Sequence, residues 1–155
     1  MLKEGQVRFL NGGDEDLVLL VGLGQRDRSK DSPKEGHDLA REAIRTAISS
    51  GVRSLKNQGI EEVLIDSCED NEAAAEGAFL ALWSYDFLKT KKEDLKKLKI
   101  KALDEEQSAD WLLGMKKAKG QNFARTLMET PANHMTPSDF AKVKEVIFSV
   151  GHFFH

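Results

Sequence analysis

One cysteine, three prolines, one tyrosine and two tryptophans in 155 residues rule out several classes of protein at the start. Cys68 has no second thiol within the chain, so an internally disulfide-stapled scaffold is excluded and a reducing compartment is expected. No apolar run approaches the roughly 20 residues that cross a bilayer. The opening MLKEGQVRF lacks a hydrophobic signal-peptide core, which makes the cytoplasm the expected location. Charge of one sign is equally scarce. A net charge of -3 with a pI near 5.8 gives no general attraction for nucleic acid or acidic membranes, so neither is an expected partner.

What is present describes an ordinary globular chain, 40% hydrophobic and 32% charged. It is long enough for one domain with a real core and too short for two generous ones. Gln6–Leu10 and Leu17–Gly24 flank the turn cluster NGGDED and predict a β-hairpin. The second of these is apolar at nearly every position, the pattern of a central strand covered on both faces. DSPKEG predicts a helix start, with Ser32 as cap, Pro33 in the first turn and Glu35 completing a capping box. Leu39, Ala43, Ile44, Ala47, Ile48, Val52 and Leu55 come after it at helical spacing, so one face is expected to be buried.

Glu61–Asp66 reads as a short buried strand. Asp70 or Asn71 would cap a second helix running on through Phe79, Leu82 and Leu88 to about Thr90. KKLKIKAL alternates Leu98, Ile100 and Ala102 with lysines, predicting an edge strand with one wet face. A third helix over Gln107–Glu129 carries Trp111, Leu112, Met115, Phe123, Leu127 and Met128. A fourth is expected over Pro137–Phe148. Between the last two, ETPANHMTPSDFA forms a rigid elbow. Pro131 bars Thr130 from helical geometry, Thr136 can cap the next helix, Pro137 suits its first position and Asp139 falls where a capping-box acid sits.

The chemistry-bearing residues do not assemble into an active site. VGLGQRDRSK has a strand followed by Gly-x-Gly, but Asp27 stands where a dinucleotide fingerprint needs its third glycine, and the helix cap waits until Ser32. The seven lysines of Lys89–Lys101 have no interleaved aromatic to stack on bases, and four acids come at once in DEEQSAD. A solvated helix end and edge strand explain them. His37, His134, His152 and His155 form no HExxH pair. Cys68 precedes a helix cap that could lower its pKa, but no histidine partner is apparent. Asp66, Glu69 and Asp70 fit capping more simply than catalysis.

GQNFARTLMETPANHMTPSDFA (Gly120–Ala141) closely resembles the segment joining the two domains of cytosolic leucine aminopeptidases, the M17 family of two-metal exopeptidases. Asn122, Ala124, Arg125, Leu127, Pro131, Asn133, Thr136 and Pro137 carry the likeness. LVLLVGLG, the Glu35–Gly36 helix start and DNEAAAEGAFLALWSYDFLK extend it over nearly all the chain except the tail SVGHFFH.

The resemblance implies an α/β fold: a three-layer αβα sandwich on a mixed, largely parallel central sheet of macro-domain-like topology, followed by a linker helix. It divides the chain into a non-catalytic N-terminal domain, residues 1–130, and an elbow with the truncated start of a catalytic domain, residues 131–155. The family's domain begins one strand and helix earlier, so the chain is expected to be shortened at both ends.

In the family, zinc or manganese ions and the catalytic groups sit in motifs resembling VGKGxxFDSGG and NTDAEGR. Here Leu23 replaces the first motif's lysine, with no FDSGG after it. Ala75, Glu76 and Gly77 in AAAEGAF have neither the NTD nor the arginine of the second. No catalytic, cofactor-binding or metal-ligating residue is therefore expected in this chain, and no cofactor. The expectation is the structural portion of a metallo-exopeptidase, inactive alone, that self-associates or joins a parent hexamer. Its alternative is a macro-like nucleotide or ADP-ribose module with a pocket near Gly22–Asp27.

Overall fold

In the computed structural model, the described residues are 2–13, 17–24, 38–55, 58–86, 88, 98–103 and 108–149, with the side chains of 144–149 excepted. Strands β1 (Val7–Asn11) and β2 (Leu17–Val21) pair antiparallel as the expected hairpin, Val7 opposite Val21 and Asn11 opposite Leu17. Helix α1 (Leu39–Leu55) is next, then β3 (Glu62–Ile65), α2 (Asn71–Ala81), β4 (Lys99–Ala102), α3 (Ala109–Glu129) and α4 (Pro137–Ser149). β3 and β4 pair in parallel, with Glu62 opposite Lys99. The fold is mixed α/β: two small sheets and four helices.

Local chemistry sets the boundaries. Ser32, Pro33 and Glu35, the expected cap of α1, lie outside the described residues. The described helix begins behind Asp38, whose Oδ1 accepts from the N–H groups of Ala40 and Arg41 at 2.9 and 3.1 Å. Asp70 caps α2 by accepting from Ala73 N–H at 2.8 Å, and Ser108 caps α3 by accepting from Trp111 N–H at 3.1 Å.

The core joins α1 to both sheets and to α2. Ile48, Val52 and Leu55 of α1 are buried together with Ile65 of β3, Leu98, Ile100 and Ala102 at β4, and Trp111 of α3. Full burial of each such aliphatic side chain is worth roughly 1.5–3 kcal/mol. α2 lies between α1 and α3 and is made for close approach, with Ala73, Ala74, Ala75, Gly77, Ala78 and Ala81 all buried. A Cβ on Gly77 would come 2.6 Å from the Arg45 carbonyl oxygen, and one on Gly114 would come 2.2 Å from that of Glu72. The small residues of AAAEGAF are thus where three helix backbones meet.

Four expectations are corrected. β2 is not central and covered: Leu17, Val18 and Leu20 are 50%, 42% and 45% exposed, because α1 lies on one face only and, among the described residues, β2 pairs with β1 alone. α2 ends at Ala81 and does not continue to Thr90, since the chain turns there to lay Trp83 and Tyr85 on α3; Leu88 is exposed. Leu39, Leu112, Phe123 and Met128 also lie outside the core, on helix ends or faces with no described neighbour to cover them. β4 matches its reading as a half-wet strand, with Ile100 and Ala102 buried and Lys99 and Lys101 exposed, whereas β3, expected to be buried, fully buries only Ile65 and leaves Glu62 and Leu64 exposed, since its side chains alternate between the helix side and the open face. Of the expected three-layer sandwich, the described residues form the mixed α/β part, with α1 and α2 packed against strands and α3 packed on α2.

Candidate functional site

The elbow and the helices it joins are held by a network of side-chain hydrogen bonds. Asn122 Nδ2 donates to the Phe79 carbonyl at 2.9 Å, and its Oδ1 accepts from Arg125 Nη1 at 3.2 Å. That fixes the Arg125 guanidinium 5.8 Å from the centre of the Trp83 ring. Trp83 Nε1 donates to Thr126 Oγ1 at 3.1 Å, and the Tyr85 hydroxyl donates to Thr130 Oγ1 at 3.4 Å. Asn122 and Arg125, two residues that carried the resemblance, therefore bind the segment leaving α2 to the last turns of α3. Their role here is positioning.

The chain then turns. The Pro131 carbonyl accepts from the N–H groups of His134 and Met135. Thr136 Oγ1 accepts from Asp139 N–H at 3.3 Å and donates to Asp139 Oδ2 at 2.6 Å, the reciprocal cap expected from TPSD. The Thr136 hydroxyl, and after it Lys142, hold the Asp139 carboxyl below its ordinary range.

Across the other end of the helices runs a charged clamp. The Arg41 guanidinium lies 2.7 Å from Asp70 and 2.8 Å from Glu72, while Lys117 of α3 pairs with the same Glu72. Hydrogen bonds from Lys117 and then Arg41 keep Glu72 ionised, lowering its pKa. Arg45 Nε meets Glu76 at 2.6 Å. These pairs tie α1, α2 and α3 to one another; each acid faces a cation, with no cluster of acids around a common point.

The remaining sequence candidates are dispersed. Gly22 is covered by its own chain: a Cβ there would come 2.1 Å from the Lys3 carbonyl oxygen and 3.0 Å from Leu2 Cβ. The glycine serves that crossing, and residues 25–27 of the proposed nucleotide loop lie outside the described residues. Cys68 sits in a left-handed turn at φ 51°, its N–H donating to Asp66 Oδ1 at 2.9 Å. Burial and the Asp66 and Glu69 carboxylates push its thiol up, so this thiol is not activated. Asp66 and Asp70 are both spent on turns and caps. Lys101 pairs with Glu62 at 2.8 Å; Lys89, Lys91, Lys92, Lys96 and Lys97 lie outside the described residues, as do His37, His152 and His155. His134 is exposed in the elbow.

Among the described residues no group of three or more His, Cys, Asp or Glu side chains could hold a metal ion, so the described residues do not fit a two-metal centre. An apolar cleft of about 230 Å³ lies between β2 and β3 over α1. It is smaller than the roughly 300–1,000 Å³ usual for small-molecule sites, and Asp66 is the single charged residue lining it. Neither feature suits a substrate pocket.

Residues 3–92 match the N-terminal domain of the cytosol aminopeptidase family. The chain is 41% identical over 146 residues to the cytosol aminopeptidase of Bos taurus and 41% identical to that of Homo sapiens, each time over 93% of this chain and 28% of the relative. The probable cytosol aminopeptidase of Aquifex aeolicus is 31% identical over 153 residues. Among solved structures, the bottromycin maturation enzyme BotP in complex with Mn superposes with a TM-score of 0.71 at 25% identity, over 96% of this chain and 31% of that one. The chain thus spans about 28% of the length of these animal relatives. With the profile match covering more than half of its residues, the chain belongs to the cytosol aminopeptidase family, whose N-terminal domain it carries.

Proposed function

We propose that this chain acts as the structural, non-catalytic N-terminal portion of a cytosolic leucine aminopeptidase-like metallo-exopeptidase, an enzyme class that removes N-terminal residues from peptides. One observation carries the reading: the family match falls on the N-terminal domain, and nearly all of this chain aligns with little more than a quarter of its relatives. The relatives' names support a cytoplasmic setting, and zinc or manganese chemistry would belong to the rest of such a protein. Residues 1–130 form the domain on this reading, and residues 131–155 the elbow and the first part of a catalytic domain. Its partners are further copies of itself or subunits of the parent hexamer.

The finer architecture belongs to the same proposal. A three-layer, macro-domain-like sandwich on one continuous sheet is supported by the apolar residues Leu10, Val18, Leu20 and Leu64, which face away from the helix layer and are 41% to 54% exposed. No observation favours the rival nucleotide or ADP-ribose module.

Purified chain supplied with excess zinc or manganese is expected to hydrolyse leucine anilide substrates no faster than a metal-only blank. Turnover that tracks the protein peak through a sizing column would overturn the non-catalytic assignment.

A further inference from the structure

Helix α3 is packed in its first half and overhangs in its second. Trp111, Gly114 and Ala118 are buried, and Trp111 stands edge-on to the Phe79 ring of α2 at 6.4 Å. Beyond Ala118 no residue of the helix is buried, and Phe123 and Met128 are 44% and 85% exposed. Apolar burial therefore holds the first half. The second half is held by the polar clasp: Asn122 to the Phe79 carbonyl, Arg125 over the Trp83 ring, and Trp83 and Tyr85 to Thr126 and Thr130. Water can replace such contacts at small net cost.

Gly120 stands where the two halves meet. Gly77 and Gly114 are required by the backbones that touch them, but a Cβ on Gly120 would meet nothing within 4 Å among the described residues. In a helix interior glycine is roughly four- to fivefold less favourable than alanine, and close packing does not account for it here. A residue that loosens a helix where burial gives way to a polar clasp has the place of a hinge. The threonines act in the same sense. Thr126 Oγ1 donates to the Asn122 carbonyl at 2.9 Å and Thr130 Oγ1 to that of Thr126 at 2.7 Å, a pattern that bends helices.

We propose that residues 121–129 are a hinged arm that pivots at Gly120, with the clasp of Asn122, Arg125 and Trp83 as the latch that holds it against the exit of α2. Opening the latch swings the last turns of α3, and the elbow with them, away from α2. What the arm carries beyond α4 rests on the function proposed above. The pivot belongs to this chain's own residues, so its test stands or falls apart from the non-catalytic assignment.

A pivot breaks the helix hydrogen bonds that span Gly120, those donated by residues 121–124. Amide exchange in the full chain is expected to peak there, at least about tenfold faster than at residues 115–118 and 125–127 on either side. Arg125→Ala removes the cation over Trp83 and is expected to raise the peak about fivefold. Gly120→Ala stiffens the pivot and is expected to lower it about fivefold. Nitroxide labels at Arg53→Cys and Met128→Cys, in a Cys68→Ser background, read the swing itself. Arg125→Ala is expected to add a second label distance at unchanged helix content. Exchange that rises steadily toward Glu129 with no peak would be end fraying and would overturn the hinge, as would a peak that Gly120→Ala leaves unchanged. Parental exchange and a single label distance in Arg125→Ala would overturn the latch.

Discussion

Gly114 shows how one residue holds the helical layer together. Its missing Cβ lets α3 approach the Glu72 carbonyl of α2, and an added methyl would meet that backbone oxygen at 2.2 Å and Ala75 Cβ at 3.0 Å. Neither neighbour can rotate away. Gly114→Ala, although it favours helix intrinsically, is expected to destabilise the fold by about 1–3 kcal/mol, read as a lower urea midpoint. A variant as stable as the parent would mean that α2 and α3 are not in contact there. Thr136 acts at the same scale in a different setting. Removing its cap in Thr136→Ala is expected to cost about 1 kcal/mol of helix stability. α4 packs little on any other described element, so the loss should appear as faster amide exchange in the first turn of α4 with the main unfolding midpoint unchanged. Equal protection in both proteins would show that Thr136 is no cap. The cap was legible in the sequence because TPSD is a local signal. The demand for glycine at 114 was not, because the atom that requires it lies on another helix.

Elements are joined by charge as well as by small residues. Glu72 stands in the first turn of α2 with cations from two neighbours, Arg41 of α1 and Lys117 of α3. Its pKa is lowered in the fold, so the stabilisation is fully present above the ordinary glutamate value near 4.3 and is lost as pH falls below it through the lowered native value. Stability of the parent is expected to fall with acidification in that window, and Glu72→Gln should flatten the fall. Identical pH profiles from denaturant titrations of the two proteins would exclude the coupling. The periodicity of α1 and the alternation of β4 could be read directly, because each has one dry face and one wet face. α2 could be recognised as a helix but not bounded. Its alanines continue into the apolar LALW, and only the hydrogen bonds of Trp83 and Tyr85 to Thr126 and Thr130 show where the chain leaves the helix.

At the scale of the whole molecule, the described part of the elbow and its helices exposes large apolar side chains. Beyond the clasp formed by Asn122, Arg125 and Trp83, α3 and α4 carry Phe123, Met128 and Phe140 at 44%, 85% and 56% exposure. Large apolar side chains grouped along an elbow are the kind of surface that a partner covers, and burying what remains exposed of the three is worth roughly 3–6 kcal/mol. Sedimentation across a concentration series is expected to show oligomers that Met128→Ser combined with Phe140→Ser disperses. A parent that stays monomeric throughout would overturn this. At this scale the folded elements and the family could be read from the chain, but the division of the strands could not. Five apolar residues in a row at Leu17–Val21 give the same pattern whether a strand is covered on both sides or left bare at an edge.

The sequence alone determined the hairpin, the order of strands and helices, the cap at Thr136, the elbow and the family resemblance, since each rests on local spacing or on residues close together in the chain. Tertiary structure decided which strand edges stay open, why Gly22, Gly77 and Gly114 cannot carry a side chain, and that Asn122 and Arg125 bind α3 to the exit of α2. Those facts depend on contacts such as Phe79 with Asn122 or Lys3 with Gly22, between residues far apart in the chain, and periodicity carries no record of them.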